Sequence, residues 1–92
     1  MTVDRYEIVV TSPAVRAIRE KLPEAVAVAV VDFITGPLLD NPHRVGAPLR
    51  GELESIWSAR RGTYRIPYRI DDAAREVIVL RVGPRHSVYR PR

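Results

Sequence analysis

The chain has 92 residues, no cysteine and a formal net charge of +4 at pH 7. This length predicts one domain over residues 1–92, and the lack of cysteine excludes a disulfide framework and a thiolate zinc site. No apolar run approaches the roughly 20 residues that cross a bilayer, and the N-terminus lacks a secretory pattern. We therefore expect a cytoplasmic protein with no membrane contact.

The positive charge is concentrated in the second half of the chain. Residues 44–92 carry eleven arginines against five acidic residues, whereas residues 1–43 carry four basic and six acidic ones. A basic half on a small domain indicates a polyanionic partner. A genome that prefers arginine codons is the alternative explanation, because 14 of the 15 basic residues are arginine.

The first half of the chain predicts one strand and two helices. Residues 6–11 are β-branched or aromatic, as is typical of a strand. Ser12 is the expected N-cap of a first helix, which Pro23 ends. Apolar residues at helical spacing predict a second helix from Glu24 to about Thr35, with a further turn before Asn41. Each helix has one apolar stripe, so the two should pack as a hairpin.

The second half predicts strands. An irregular loop over residues 43–51 precedes strands over residues 53–59, 64–70 and 76–82. The last is apolar on both faces, which predicts a central, covered strand. The sequence therefore predicts an α+β fold, in which an N-terminal strand and a two-helix hairpin precede a three-stranded antiparallel meander. The helices should pack on one face of a small sheet.

The predicted hairpin within residues 57–70 alternates apolar residues with arginine. Tyr64, Ile66, Tyr68 and Ile70 share one face of the strand, while Arg65, Pro67 and Arg69 share the other. Gly62 gives the turn its conformational freedom, with Arg60 and Arg61 at the tip or beside it. Because a guanidinium group matches phosphate oxygens in pairs, this ribbon is suited to a phosphate backbone. Pro67 should lie at an edge, at a bulge, or with its missing N–H facing away from a partner.

Three blocks of sequence resemble the RelE toxins of bacterial toxin–antitoxin pairs. They are Pro48-Leu49-Arg50-Gly51, the hairpin from Trp57 to Tyr68, and the segment from Arg81 to Tyr89, which holds Arg85-His86. The resemblance covers nearly the whole chain. It implies a ribosome-dependent endonuclease that cuts mRNA in the A site without metal or cofactor, by attack of the 2′-hydroxyl on the adjacent phosphate. It also implies a cognate RelB-like antitoxin and a toxin–antitoxin hetero-oligomer.

The resemblance also implies roles for individual residues. Arg65 is similar to the arginine that grips the scissile phosphate, Arg85 to the one that stabilises the transition state, and Tyr89 to the tyrosine that orients a base. The phosphate-binding residues implied around the site are Arg50, Arg60 and Arg61.

The implied proton-transfer groups differ from those of the family. Lysines that accept the proton in some members correspond here to Ile56 and Ser58, and a glutamate of another branch corresponds to Ala47. His86 is the best remaining titratable group, since an unperturbed imidazole has a pKa of about 6.5. Two weaker candidates are Glu52 and Glu54.

Several residues are expected to be structural. His43 is expected to be a loop residue, and two separated histidines without cysteine argue against a metal site. Trp57 should lie in the core or at its rim, and Asp71-Asp72 should form a turn.

Two other functions stay open at this point. One is a ParE-like toxin that poisons DNA gyrase without nuclease activity, with the helical hairpin as its contact surface. The other is a degenerate toxin that persists as an antitoxin-binding subunit. In each case we expect an antitoxin that lays a helix or an extended segment across the sheet and hairpin.

Overall fold

The computed structural model describes residues 5–51 and 55–84. Strand β1 (Glu7–Val10) leads into a helical region formed by α1 (Ser12–Arg16), a π-helical turn (Ala17–Lys21), α2 (Glu24–Ile34) and α3 (Pro37–Asp40). The strands that follow are β2 (Ala47–Pro48), β3 (Trp57–Arg61), β4 (Tyr64–Asp71), β5 (Glu76–Val79) and β6 (Gly83–Pro84). No helix within these described ranges has the length and apolar character to cross a bilayer.

The strands form one sheet in the order β1-β5-β4-β3-β2, and β6 pairs with β4 beyond the end of β5. Strand β1 runs parallel to β5, whereas the other pairs are antiparallel. The parallel pair is possible because a long connection joins β1 to β5, made of the helical region and strands β2, β3 and β4. Strand β5 has a neighbour on both sides, as predicted, but the core covers only its face with Val77 and Val79, whereas Ile78 on the other face is half-buried.

The core lies between the helices and one face of the sheet. Ile66 and Tyr68 of β4 are fully buried, as are Val77 and Val79 of β5, and they cluster with Val30, Phe33 and Leu38 from the helices. Burying an aliphatic or aromatic side chain of this size contributes roughly 1.5–3 kcal/mol. This arrangement confirms the α+β fold with its helices on one face, and the alternation predicted along β4.

The first helix begins one residue earlier than predicted, whereas its helical segment ends just before Pro23, as predicted. Its N-cap is Thr11, whose side chain accepts from the backbone N–H of Ala14, so Ser12 is the first helical residue. The Thr11 hydroxyl also donates to the Leu80 carbonyl at 2.7 Å, which ties the helix start to the end of β5. At the other end, Leu22 is extended because the residue before Pro23 is excluded from helical conformation.

The β3–β4 hairpin is tighter than predicted. Arg60 and Arg61 belong to β3, and Arg61 pairs with Tyr64 across a loop of only Gly62 and Thr63. Gly62 has φ +60°, a conformation that favours glycine in a two-residue hairpin loop. Strand β2, which the irregular composition of residues 43–51 concealed, adds an edge to the sheet through the Ala47–Ser58 pair.

Pro67 lies within β4, opposite a bulge. Its carbonyl accepts from the N–H of Leu80, so its missing N–H faces the segment just beyond β5. Tyr68 pairs with Val79, and Tyr64 pairs with Pro84. The chain from β5 to β6 therefore has one residue more than the stretch of β4 that it faces, which is a bulge. The bulge places Pro67 where the hydrogen-bond ladder between strands is already interrupted. A position at a bulge was one of the predicted alternatives.

A buried hydrogen bond holds the loop before β2 against the sheet. The Tyr68 hydroxyl donates to the Pro42 carbonyl at 2.6 Å, and burial raises the pKa of Tyr68 to about 12. Gly46 crosses so close to β3 that an added Cβ would lie 2.8 Å from the Ser58 carbonyl oxygen and closer still to the Tyr68 hydroxyl. The path of residues 42–46 therefore depends on Tyr68 and on a glycine at position 46.

Tyr68→Phe should destabilise the fold by about 1–3 kcal/mol, because the buried Pro42 carbonyl loses its donor. The difference in unfolding free energy between wild type and Tyr68→Phe should shrink as pH rises from about 10 to about 12. Over this range the unfolded wild-type tyrosine ionises before the folded one, so wild-type stability falls, whereas phenylalanine does not titrate. Urea unfolding of both proteins across this range measures the effect, and a constant difference would contradict it.

Candidate functional site: an arginine groove on the exposed face of the sheet

A groove of about 520 Å³ opens beside β3 and β4, under the loop that leads into β2. We call it the arginine groove. Its lining combines three arginines with small and aliphatic residues: Arg44, Val45, Gly46, Ala47, Leu49, Ser58, Ala59, Arg60 and Arg65. Among these described residues there is no acidic side chain.

The central feature of the groove is a cross-strand pair of like charges. Arg60 of β3 faces Arg65 of β4 directly in the register, so both side chains lie on the face opposite the core. Arg60 is exposed and Arg65 is half-buried. Within residues 5–51 and 55–84, neither forms an ion pair with an acidic residue. Two guanidinium groups held side by side repel each other, and a bound anion would relieve that repulsion.

Arg44 is the third arginine of the groove, and it was not among the site residues predicted from the sequence. It follows Pro42 and precedes Gly46, so the buried Tyr68 hydrogen bond and the close approach of Gly46 fix the segment that carries it. The backbone N–H groups of Arg44 and Val45 both donate to the Asn41 carbonyl, which closes this segment into a turn. Only the pairing of β2 with β3 brings Arg44 beside the hairpin, and no local sequence pattern predicts that pairing.

The groove brings together Ala47 and Ser58, two positions that correspond to proton acceptors in RelE toxins. Ala47 pairs with Ser58 in the register, and both line the groove. Ile56 precedes β3 and its carbonyl accepts from the N–H of Leu49. None of the three is a carboxylate, an imidazole or an amine. The described lining can therefore neutralise an anion, but it supplies no group that titrates near neutral pH.

The other predicted site residues are not all in the groove. Arg61 points to the helix side of the sheet, where its guanidinium lies 3.8 Å from the centroid of the Phe33 ring. Arg50 is exposed just beyond β2 but is not part of the groove lining. Three further candidates lie outside the described residues, namely Arg85, His86 and Tyr89. The weaker candidates Glu52 and Glu54 also lie outside them. Their roles stay predictions.

His43 directly precedes Arg44, and its contact with Asp72 ties the loop before β2 to the turn after β4. The His43 Nε2 is 3.2 Å from Asp72 Oδ2, and the Tyr6 hydroxyl donates to the other oxygen of the same carboxylate. This hydrogen bond from Tyr6, together with the nearby His43, lowers the pKa of Asp72. The His43 ring also meets the half-buried Trp57 ring edge to face, with centroids 5.4 Å apart. These contacts agree with the structural roles expected for His43, Trp57 and Asp72.

Arg60→Gln should stabilise the fold by roughly 0.2–1 kcal/mol at low salt, because it removes the repulsion between directly opposed like charges. The gain should disappear at about 0.5 M salt, where exposed charges are screened. Arg69→Gln is the matched control, since it removes an arginine from the same face, where Arg69 pairs with Ile78 instead. Urea unfolding at both salt concentrations tests this, and an equal gain in both variants would contradict it.

Comparisons with known proteins identify the family. The family model described as the ParE toxin of type II toxin–antitoxin systems matches residues 9–89. Two proteins of Mycobacterium tuberculosis are similar over 85 residues, which is 92% of this chain. Toxin RelE is 47% identical, with 87% of its length covered, and toxin RelG is 49% identical, with 97% covered.

Solved structures agree with this comparison. The toxin–antitoxin complex RelBE2 of M. tuberculosis contains a chain that matches with a TM-score of 0.82 and 49% identity, covering 87% of this chain and 98% of that one. The isolated RelE toxin of Escherichia coli shares the fold, with a TM-score of 0.72, 23% identity, and coverage of 86% and 83%. The resemblance to RelE toxins drawn from the three sequence blocks is thereby confirmed. The chain belongs to the RelE/ParE family of toxins from type II toxin–antitoxin systems.

Proposed function

We propose that this toxin is a metal-independent endoribonuclease that cuts mRNA in the ribosomal A site and so inhibits translation. The observation that carries the proposal is the opposed pair Arg60 and Arg65, set in a groove whose described lining contains no acidic residue. An RNA strand offers one phosphate per nucleotide, and paired guanidinium groups bind such oxygens in bidentate fashion.

The chemistry that the groove supports is charge stabilisation at phosphorus. In the proposed reaction the 2′-oxygen forms a bond to the adjacent phosphorus and the bond from phosphorus to the 5′-oxygen breaks. The products are a 2′,3′-cyclic phosphate and a free 5′-hydroxyl. Negative charge builds up on the phosphate oxygens in the transition state, where preorganised cations are most effective. Arg65 would bind the scissile phosphate, and Arg60 would hold it or its neighbour. Arg50 remains a candidate for contacts along the rest of the strand, whereas Arg61 faces the helix side of the sheet, away from this pair.

Proton transfer requires groups beyond the described lining. Something must take the proton of the attacking 2′-hydroxyl, and something must protonate the leaving 5′-oxygen. We assign this part to the C-terminal segment, with His86 as the titratable group, Arg85 as a second transition-state cation, and Tyr89 as the residue that orients a base. Free RNA should be cut slowly or not at all, since the ribosome would complete the positioning of the substrate.

We also propose that a cognate RelB-like antitoxin neutralises this toxin in a hetero-oligomer. RelBE2 is a toxin–antitoxin complex, and its toxin-like chain is the 49% identical match described above. The excess of arginine in residues 44–92 gives the toxin a cationic surface that suits an acidic partner.

Brief induction in a bacterium, followed by mapping of new RNA 5′ ends, tests the nuclease. Wild-type toxin should produce ends inside translated codons, in frame. Arg65→Ala should reduce them on the order of 100-fold, as expected for losing one transition-state donor. Arg69→Ala is the matched control, because Arg69 lies on the same face of β4 but outside the groove lining, and it should cut like the wild type.

The other outcomes of this experiment point elsewhere. A folded Arg65→Ala protein that cuts like the wild type would overturn the site assignment. Growth arrest with DNA damage signalling and without new RNA ends would indicate a gyrase poison. The absence of any growth defect would indicate a degenerate toxin.

A further inference from the structure

A second cationic site lies on the helix side of the sheet. It is a pocket of about 370 Å³ between the first helical segment and the junction of β4 with β6, and we call it the basic pocket. Its lining is Pro13, Arg16, Ala17, Lys21, Leu22, Tyr64, Arg81, Val82, Gly83 and Pro84. The nuclease proposed above uses none of these residues.

The cations of the basic pocket come from separate elements. Arg16 ends α1, Lys21 ends the π-helical turn, and Arg81 lies in the bulge before β6, and all three are exposed. No acidic side chain is among the described residues of the lining. No salt bridge to these three cations occurs within the described ranges either. The pocket is therefore a concave site with uncompensated positive charge, so its complement is an anionic group.

An apolar groove continues from the basic pocket. This groove, of about 360 Å³, lies between α2 and the β3–β4 hairpin and is lined by Ala25, Val26 and Ala29 together with residues 61–64. Tyr64 lines both sites, so the two sites are adjacent. Small side chains on α2 keep the apolar groove open, and the Arg61 guanidinium is held over Phe33. Together they form one furrow that is apolar at one end and cationic at the other.

We propose that this furrow is a docking site for the antitoxin. The occupant would be an antitoxin segment that places aliphatic side chains against Ala25, Val26 and Ala29 and a carboxylate in the basic pocket. This inference rests on the proposed pairing with an antitoxin, but not on nuclease activity. Arg16, Lys21 and Arg81 are the residues that would bind the antitoxin carboxylate.

A peptide fits the furrow better than RNA does. RNA binding requires cations that follow the backbone, whereas half of this furrow is apolar and presents no surface for successive phosphates. The furrow also lies on the side of the sheet opposite Arg60 and Arg65, so a strand bound in the arginine groove would not enter it. An amphipathic segment that ends in a carboxylate satisfies both halves at once.

Titration of the full-length toxin with its full-length antitoxin at 0.15 M salt tests the inference. Lys21→Glu should raise the Kd at least 10-fold relative to the wild type. Arg19→Glu is the matched control, since it makes the same charge change in the same π-helical turn, outside the basic pocket, and should change the Kd less than twofold. Lys21→Gln removes the charge without reversing it, so its Kd should lie between those of the wild type and Lys21→Glu. This variant replaces Lys21→Glu in the test if Lys21→Glu does not fold.

A charge-swap screen identifies the antitoxin carboxylate. Each antitoxin Asp or Glu is replaced by Lys in turn, and one replacement should restore binding to Lys21→Glu at least fivefold while weakening binding to the wild type. Restoration by none of them would overturn the inference.

Three other results would overturn the inference. The first is an unchanged Kd for folded Lys21→Glu, and the second is an equal loss for Arg19→Glu. The third is a loss of ribosome binding with antitoxin binding intact, which would mean that the pocket contacts RNA. If wild-type toxin does not bind the antitoxin at all, the proposed pairing fails instead. That outcome is separate from any result for nuclease activity.

Discussion

The register of β3 against β4 is the constraint on which the rest of this structure depends. Side chains alternate between the two faces of a strand, so a slip of one residue would move every side chain of β4 to the wrong side. The turn at Gly62-Thr63 and the burial of Ile66 and Tyr68 fix the observed register. The same pairing sets Arg60 against Arg65. Hydrophobic burial on one face thereby holds two like charges together on the other.

The loop before β2 extends that constraint to the arginine groove. Tyr68 is the residue that links the two, because its ring belongs to the core and its hydroxyl binds the Pro42 carbonyl. Gly46 then passes over the Ser58 carbonyl too closely for a side chain. These contacts bring Arg44 to the groove. The groove is thus assembled from a loop and two strands that share one buried anchor.

The two cationic sites have different surroundings, which fits two different partners. The arginine groove lies on the exposed face of the sheet and joins closely opposed guanidinium groups to small side chains. The basic pocket lies on the helix side, and its charges border an apolar groove. Phosphate groups suit the first, and an amphipathic peptide suits the second. A toxin with this division would meet its substrate and its antitoxin on opposite sides of β4.

Apart from the short strands β2 and β6, the sequence by itself determined the order of elements, the alternation along β4, the interior position of β5 in the sheet and the membership of the RelE/ParE family. These follow from local periodicity and from motifs that span the chain, so they need no knowledge of which segments meet. Only the tertiary structure decided that Thr11 is the helix cap, that Ala47 pairs with Ser58, that Arg61 turns to Phe33, and that Arg44 enters the groove. Each of these depends on contacts between residues distant in the chain or on the length of one turn. The physical reason is that such contacts are selected by the packing of the whole core, which no local pattern encodes.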